Sequence, residues 1–167
     1  LPVVDSAQAL IELRVSAVVL GIGDNGRRMS IAEAAEVSGF ELLTVVHPTA
    51  HVGPGVNLGA GVLIAPGCVI TRDIRIGRAA IVNYSASIGH DSAVGDGAFI
   101  GPGAVLTGSV QIASRAIVGA GAVVLPGRAV GLGAVVGSGA VVTRDVVDSG
   151  KVSGNPARAH GTNVGLP

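Results

Sequence analysis

The sequence predicts a mainly β protein, a parallel β-solenoid of about five triangular coils behind a small, incomplete α/β piece. Three observations carry this. Sixteen aliphatic residues stand six apart from Val52 to Val142 without a slip. Aromatic residues are only 2% of a chain that is 49% hydrophobic, too few rings for a compact core but suited to thin layers of small branched side chains. Glycine is abundant, at 27 residues, without the every-third spacing of collagen. A strand repeats at two residues and a helix at 3.6, so neither makes a period of six over this length. A hexapeptide solenoid does.

Residues 1–46 read as an open α/β sheet in the order β-α-β-α-β. An apolar run over 1–4 is followed by Asp5 and Gln8, spaced as a capping pair, and a helix over 7–13. The unbroken apolar run over 15–20 ends in glycines, as a buried parallel strand does. Ser30 and Glu33 are spaced as a capping box for a helix over 31–37, with Gly39 as its stop. A further strand over 40–46 closes at His47-Pro48. Gly21, Gly23 and Gly26 spell G-x-G-x-x-G after a strand. Alone that is a weak dinucleotide signal, and a Rossmann site needs more sheet than 46 residues supply.

Residues 47–167 form the second domain, ruled by the hexad. The aliphatic position and the small residue two before it share a face of extended chain, so both point inward. Cys68, Ala86, Ala104 and Ala122 occupy this second inward site, and Arg128 breaks its rule. The residue after the aliphatic one is often glycine, expected to supply the corner dihedrals. Three hexads make an eighteen-residue coil, and coils roughly 4.8 Å apart give a prism about 25 Å tall. The α/β piece is expected to cap one end and the tail from Asp148 the other, since a solenoid layer buries its faces only against neighbours.

Eleven basic and eleven acidic residues cancel, and no basic patch points to nucleic acid or an anionic membrane. No apolar run is long enough to insert in a bilayer. Cys68 stands alone and forms no internal disulfide, which agrees with a reducing compartment, and with no signal-peptide pattern a cytoplasmic location is expected. Of four histidines, His47 and His51 flank a proline in an extended stretch, and His160 lies in the tail. No metal site is expected among them. His90 sits two after its aliphatic residue, at a corner where a side chain projects outward. One coil away on either side stand Gly108, which leaves room for the ring, and Arg72, expected to disfavour the imidazolium. Asp91 follows directly and can fix the ring's tautomer, an arrangement suited to a general base.

The run Ile81-Val82-Asn83-Tyr84-Ser85-Ala86-Ser87-Ile88-Gly89-His90-Asp91 resembles the catalytic coil of the sialic-acid O-acetyltransferase and bacterial UDP-amino-sugar N-acetyltransferase family. Further similar stretches are Ile22-Gly23-Asp24-Asn25, Val46-His47-Pro48, Gly101-Pro102-Gly103-Ala104 and Val152-Ser153-Gly154-Asn155-Pro156-Ala157-Arg158, in the family's order and spacing. The resemblance implies a left-handed β-helix, a homotrimer with active sites between prisms, and acetyl-CoA as acyl donor. It implies that His90 deprotonates the acceptor and that Asp91 supports it. It implies a donor arm beside Phe99, Gly108, Ala120 and Ser138, with Asn155 and Arg158 toward the nucleotide end. The Gly21–Gly23–Asn25 turn, with Asn83, is implied to meet a nucleotide-linked sugar.

Three departures stand out. Tyr84 replaces a frequent threonine, Phe99 stands where sugar N-acetyltransferases carry a donor-contacting histidine, and the family's Gly-rich strand–turn–helix would precede Leu1. The reading that follows is an acetyl-CoA-dependent acetyltransferase acting on the amino group of a nucleotide-linked 4-amino-sugar. Its alternatives are sugar O-acetylation, including that of sialic acid, and a non-catalytic trimeric scaffold. A zinc lyase of the γ-carbonic-anhydrase kind needs three ligating histidines, and only His90 projects from the prism body.

Overall fold

The computed structural model describes residues 6–160 and is a left-handed parallel β-helix with an α/β cap. The cap comprises α1 (Ala7–Glu12), β1 (Ala17–Val18), α2 (Asn25–Val37) and β2 (Glu41–Leu42). β1 and β2 pair in parallel, Ala17 opposite Glu41. The cap of α1 is Ser6, whose hydroxyl accepts from Ala9 N at 3.3 Å. The expected run over 1–4 and Asp5 lie outside the described residues.

Two expected elements are corrected. α2 begins six residues early, because Asp24 caps it through a 2.7 Å bond from Arg27 N to Oδ1. Ser30 is therefore mid-helix, where its hydroxyl donates to Gly26 O instead of forming a capping box. The helix does stop at Gly39, whose φ is +83°. The strand over 40–46 is two strands: Glu41–Leu42 belongs to the cap, while Val45–Val46 pairs with Leu63–Ile64 as part of the prism.

Every regular pairing in the prism links residues eighteen apart, such as Ser87 with Val105 and Val105 with Val123. The first face runs from Val45–Val46 through Ile81–Val82 and Phe99–Ile100 to Val135–Val136 and the tail strands. The second runs from His51–Val52 to Val141–Val142, and the third from Asn57–Leu58 to Ala129–Val130. The second face holds six strands, so there are six coils where sixteen hexads gave slightly over five. Aliphatic positions from Ile64 onward are buried, as are the alanines two before them.

The glycines after the aliphatic residues do not serve corner dihedrals. None has a positive φ. They are glycine because the next coil passes too close: a Cβ at Gly89 would lie 2.5 Å from Thr107 C, and one at Gly95 2.5 Å from Ser114 N. The left-handed conformation falls two residues later instead. All fifteen positions in steps of six from Gly55 to Gly139 have positive φ, nine of them glycine and six not. Pro54, Pro66, Pro102 and Pro126 sit just before that slot, at a position whose N–H has no coil partner to lose.

The last coil is two residues short. Val130 bridges Val146 and Val135 pairs with Lys151, both sixteen apart. Asp145 accepts from the Ala129 N–H that the shortened chain leaves over, and Asp148 accepts from the corner N–H of Leu132. Arg128 breaks the inward rule here because no full layer follows it: its guanidinium reaches outward to Asp145 at 3.4 Å. The tail then forms Lys151–Ser153, which joins the first face, and Arg158–Ala159, which folds back antiparallel on it.

Arg28 and Asn25 join cap to prism. Arg28 is 0% exposed. Its Nε donates to Ala79 O at 2.8 Å, Nη1 to Ile22 O at 2.7 Å, and Nη2 to Asn25 Oδ1 at 2.7 Å and Gly97 O at 2.8 Å. Asn25 passes the chain on, its amide donating to Arg115 O at 3.0 Å. Ala79, Gly97 and Arg115 are the same left-handed slot in three successive coils. Burial pushes the Arg28 pKa down from its ordinary value, and Asp24 opposes that shift. Met29 packs on Gly97, where a Cβ would meet Met29 Sδ at 2.7 Å. Arg78 Nη2 lies 2.7 Å from Glu36 Oε2, and its Nε donates to Oε1 at 3.2 Å, a second link between α2 and the prism.

Arg28→Ala strands several buried carbonyls, so a loss of about 3 kcal/mol or more in cap docking is expected. Hydrogen exchange checks it: α2 amides lose protection while the inner coils keep theirs. Arg28→Lys does not restore protection, because one ammonium cannot reach partners on opposite sides.

Candidate catalytic corner

His90 and Asp91 occupy the corner between the second and third faces, after Ser87–Ile88 and before Ala93–Val94. Asp91 sits in the left-handed slot with φ +59°. His90 Nδ1 lies 2.7 Å from Asp91 Oδ2. An ionised carboxylate only accepts, so Nδ1 carries a proton, and in the neutral ring Nε2 keeps the lone pair. The histidine side chain is 56% exposed, and its ring rests against Gly108 on the next coil, where a Cβ would fall 2.7 Å from Nε2. Arg72 stands one coil earlier at the same corner position. Its guanidinium is held by Asp73 at 2.7 Å.

The backbone beneath the pair is tightly tied. His90 O accepts from Ser109 N at 2.7 Å, and Asp91 N donates to Arg72 O. Ser92, 3% exposed, points into the prism. Its hydroxyl accepts from Val110 N at 3.0 Å and lies 3.2 Å from Thr107 O and 3.4 Å from His90 O. Sequence reading passed over Ser92 and Arg28. Ser92 had a signal, a hydroxyl in an inward row of alanines. Arg28 had none, since nothing in the sequence separates it from the exposed Arg27.

The expected site residues fall into three groups. His90, Asp91 and Gly108 stand together. Phe99 lies outward on the first face, and Ala120 and Ser138 follow that face at the next corner, stacked one coil apart. Asn155 and Arg158 are exposed in the turn and edge strand beyond it. Asn83 lies at the same corner as Ala120, two coils earlier, its side chain accepting from Tyr84 N. Gly21 and Gly23 are exposed in the turn before α2, but the Asn25 side chain is buried and committed to Arg115 and Arg28. Within one chain, His90 and the Phe99–Ala120–Ser138 group lie on different edges of the prism.

Cys68 faces inward, donates to Asn83 O, and burial pushes its thiol pKa up. It is a poor nucleophile. His47 Nδ1 is engaged by Thr49, and His160 Nε2 by Ser153 Oγ. No cluster of three or more metal-ligating side chains occurs among the described residues, and no described helix is long and apolar enough to cross a membrane.

Comparison with solved structures gives close matches. Perosamine N-acetyltransferase from Caulobacter crescentus, solved with CoA and GDP-perosamine, superposes with a TM-score of 0.91 at 39% identity over 92% of this chain and 73% of that one. WeeI from Acinetobacter baumannii AYE matches at 0.84 and 33% identity, over 86% and 70%. The acetyltransferase domain of PglB from Neisseria gonorrhoeae FA1090, bound to acetyl coenzyme A, matches at 0.66 and 30% identity, over 86% and 70%. No protein-family model and no curated protein matches the chain.

Gly108→Ala is expected to displace the imidazole while the fold survives, because the added methyl has open chain on one side and only the ring in its way. A crystal structure or the imidazole ¹⁵N spectrum reads the displacement. Asp91→Gly removes the carboxylate and relaxes a left-handed residue, so the variant should gain about 1 kcal/mol in stability and lose the ring's fixed tautomer. Thermal melts and the same spectrum check the two effects.

Proposed function

Because the chain belongs to the hexapeptide-repeat acyltransferases that act on nucleotide-linked 4-amino-sugars, we propose that it transfers the acetyl group of acetyl-CoA to the amine of such a sugar, with His90 as general base. The observation that carries this is the His90–Asp91 pair, exposed at a corner and backed by a residue with no side chain.

The steps follow from the geometry. Nε2 of His90 accepts a proton from the acceptor amine as its nitrogen attacks the thioester carbonyl. A C–N bond forms and the carbonyl becomes a tetrahedral oxyanion. The Gly108 N–H makes no backbone bond, and the donation to that oxygen is assigned to it. The intermediate collapses with cleavage of the C–S bond, and the imidazolium returns its proton to the departing thiolate. Asp91 keeps Nδ1 protonated and the ring oriented throughout. No acyl-enzyme is required. A sugar hydroxyl would follow the same path, and the product distinguishes N- from O-transfer.

The acyl donor is assigned to a crevice between two prisms of a trimer. One prism supplies the His90 corner and its neighbour supplies Phe99, Ala120 and Ser138. Two surface features support this. The N–H groups of Ala120 and Ser138 are exposed and make no backbone bonds, free for the amide carbonyls of a pantetheine arm. The outward residues differ between faces. Val69 and Val105 are exposed on the second, and Phe99, Ile117 and Val135 are half-buried on the first, whereas Asn57, Arg75 and Gln111 line the third. Two apolar faces meeting at one edge suit a self-complementary closed ring. Asn155 and Arg158 are assigned to the nucleotide end of the donor. The exposed Gly21–Gly23 turn and Asn83 are assigned to the nucleotide-sugar, with Asn25 acting through the fold.

His90→Ala should abolish release of CoA thiol from acetyl-CoA and GDP-perosamine while sedimentation still reports a trimer. Full activity in that variant removes His90 from the mechanism. Acetyl-CoA should raise the melting temperature of the wild type, and the absence of any shift at saturation would favour the scaffold.

A further inference from the structure

Ser92 is the one polar residue among the buried inward positions of the prism, and it lies in the same corner as His90. A hydroxyl there is costly unless satisfied, and small apolar residues serve elsewhere. Its bonds explain what it does. At Ala104 and Ala122 the corner closes on itself, Ala104 N donating to Gly101 O at 3.1 Å and Ala122 N to Gly119 O at 3.2 Å. On the His90 edge the 53–56, 71–74 and 89–92 corners do not, and neither does 107–110. There the Ser92 hydroxyl stands in the gap, accepting from Val110 N at 3.0 Å and donating toward Thr107 O at 3.2 Å. The residue held between Thr107 and Val110 is Gly108, the surface on which the imidazole rests. The same hydroxyl lies 3.4 Å from His90 O. One buried group therefore ties the main chain of His90 to the turn that supports its ring.

We propose that Ser92 is a positioning residue for the base: by bridging the 107–110 turn it sets the distance between the His90 imidazole and Gly108. This rests on His90 as base for its kinetic consequence, but not for its structural one. Without the hydroxyl, the buried Val110 N and Thr107 O lose their shared partner, and the 107–110 turn is no longer tied to the preceding coil. The fold is kept and Gly108 moves. Ser92→Thr retains the hydroxyl.

The test compares wild type, Ser92→Ala and Ser92→Thr, with acetyl-CoA and GDP-perosamine as substrates and ¹⁵N-histidine spectra of the free proteins. For Ser92→Ala, kcat should fall about tenfold with the KM for acetyl-CoA within about twofold. Its melting temperature should stay within about 4 °C of wild type, and the His90 ring resonances should shift. Ser92→Thr should restore both rate and spectrum. Unchanged ring resonances in Ser92→Ala, or a rate loss that follows unfolding and is not recovered by threonine, overturns the proposal. The spectra need no substrate, so a wild type inactive on GDP-perosamine would count against the proposed reaction and leave this test standing.

Discussion

Each coil of the prism donates its strand N–H groups to the carbonyls of the coil that follows, from Val45 N to Val62 O through to Val141 N to Gly154 O, and its left-handed corner N–H groups to the coil before. No layer satisfies its own backbone, so stacking in register is the condition under which any part of the prism exists. That condition fixes the chemistry of each corner. The chain must turn within a few residues and return at the same height. One position is pressed against the next coil's backbone, one points outward with an unpaired N–H, and one takes the left-handed conformation. The sequence answers most often with glycine at the first and third, and at the second it places prolines and the polar residues that face solvent.

His90 and Asp91 are the second and third of these positions in one corner. Consecutive side chains on a strand point to opposite faces, so two adjacent functional groups on the same side are hard to place there. The left-handed residue removes that obstacle. It costs about 1 kcal/mol or more for a residue with a Cβ, and Asp91 tolerates it better than most because a short polar side chain finds a local partner. That partner is the imidazole itself. The His90–Asp91 pair is thus a use of geometry present at every corner, made specific by the missing side chain at Gly108 on the next coil and by the Ser92 hydroxyl beneath it.

The architecture was legible because it is repetitive. A period of six is visible without knowing what any residue does, and the outward placement of His90 follows from its phase. The role of the recurrent glycines was misjudged because spacing records where glycine occurs, not whether it spares a dihedral or a collision. The early start of α2 was hidden by Gly26, which reads as turn while Asp24 supplies the cap that makes it helix. The Asn25–Arg28 joint was invisible because its partners are main-chain carbonyls about fifty to ninety residues away, and carbonyls leave no mark on composition. The separation of His90 from Phe99, Ala120 and Ser138 needed the coil to be built in space before it could be seen.

The Arg28 joint also bears on the order in which the molecule is made. Its oxygen partners reach Ala79 and Gly97, and those of Asn25 reach Ala116. A ribosome releases α2 long before those carbonyls exist. α2 therefore lacks its full set of partners until residue 116 has emerged. Assembly then runs backward for this one element, the finished coils fetching an earlier helix to themselves.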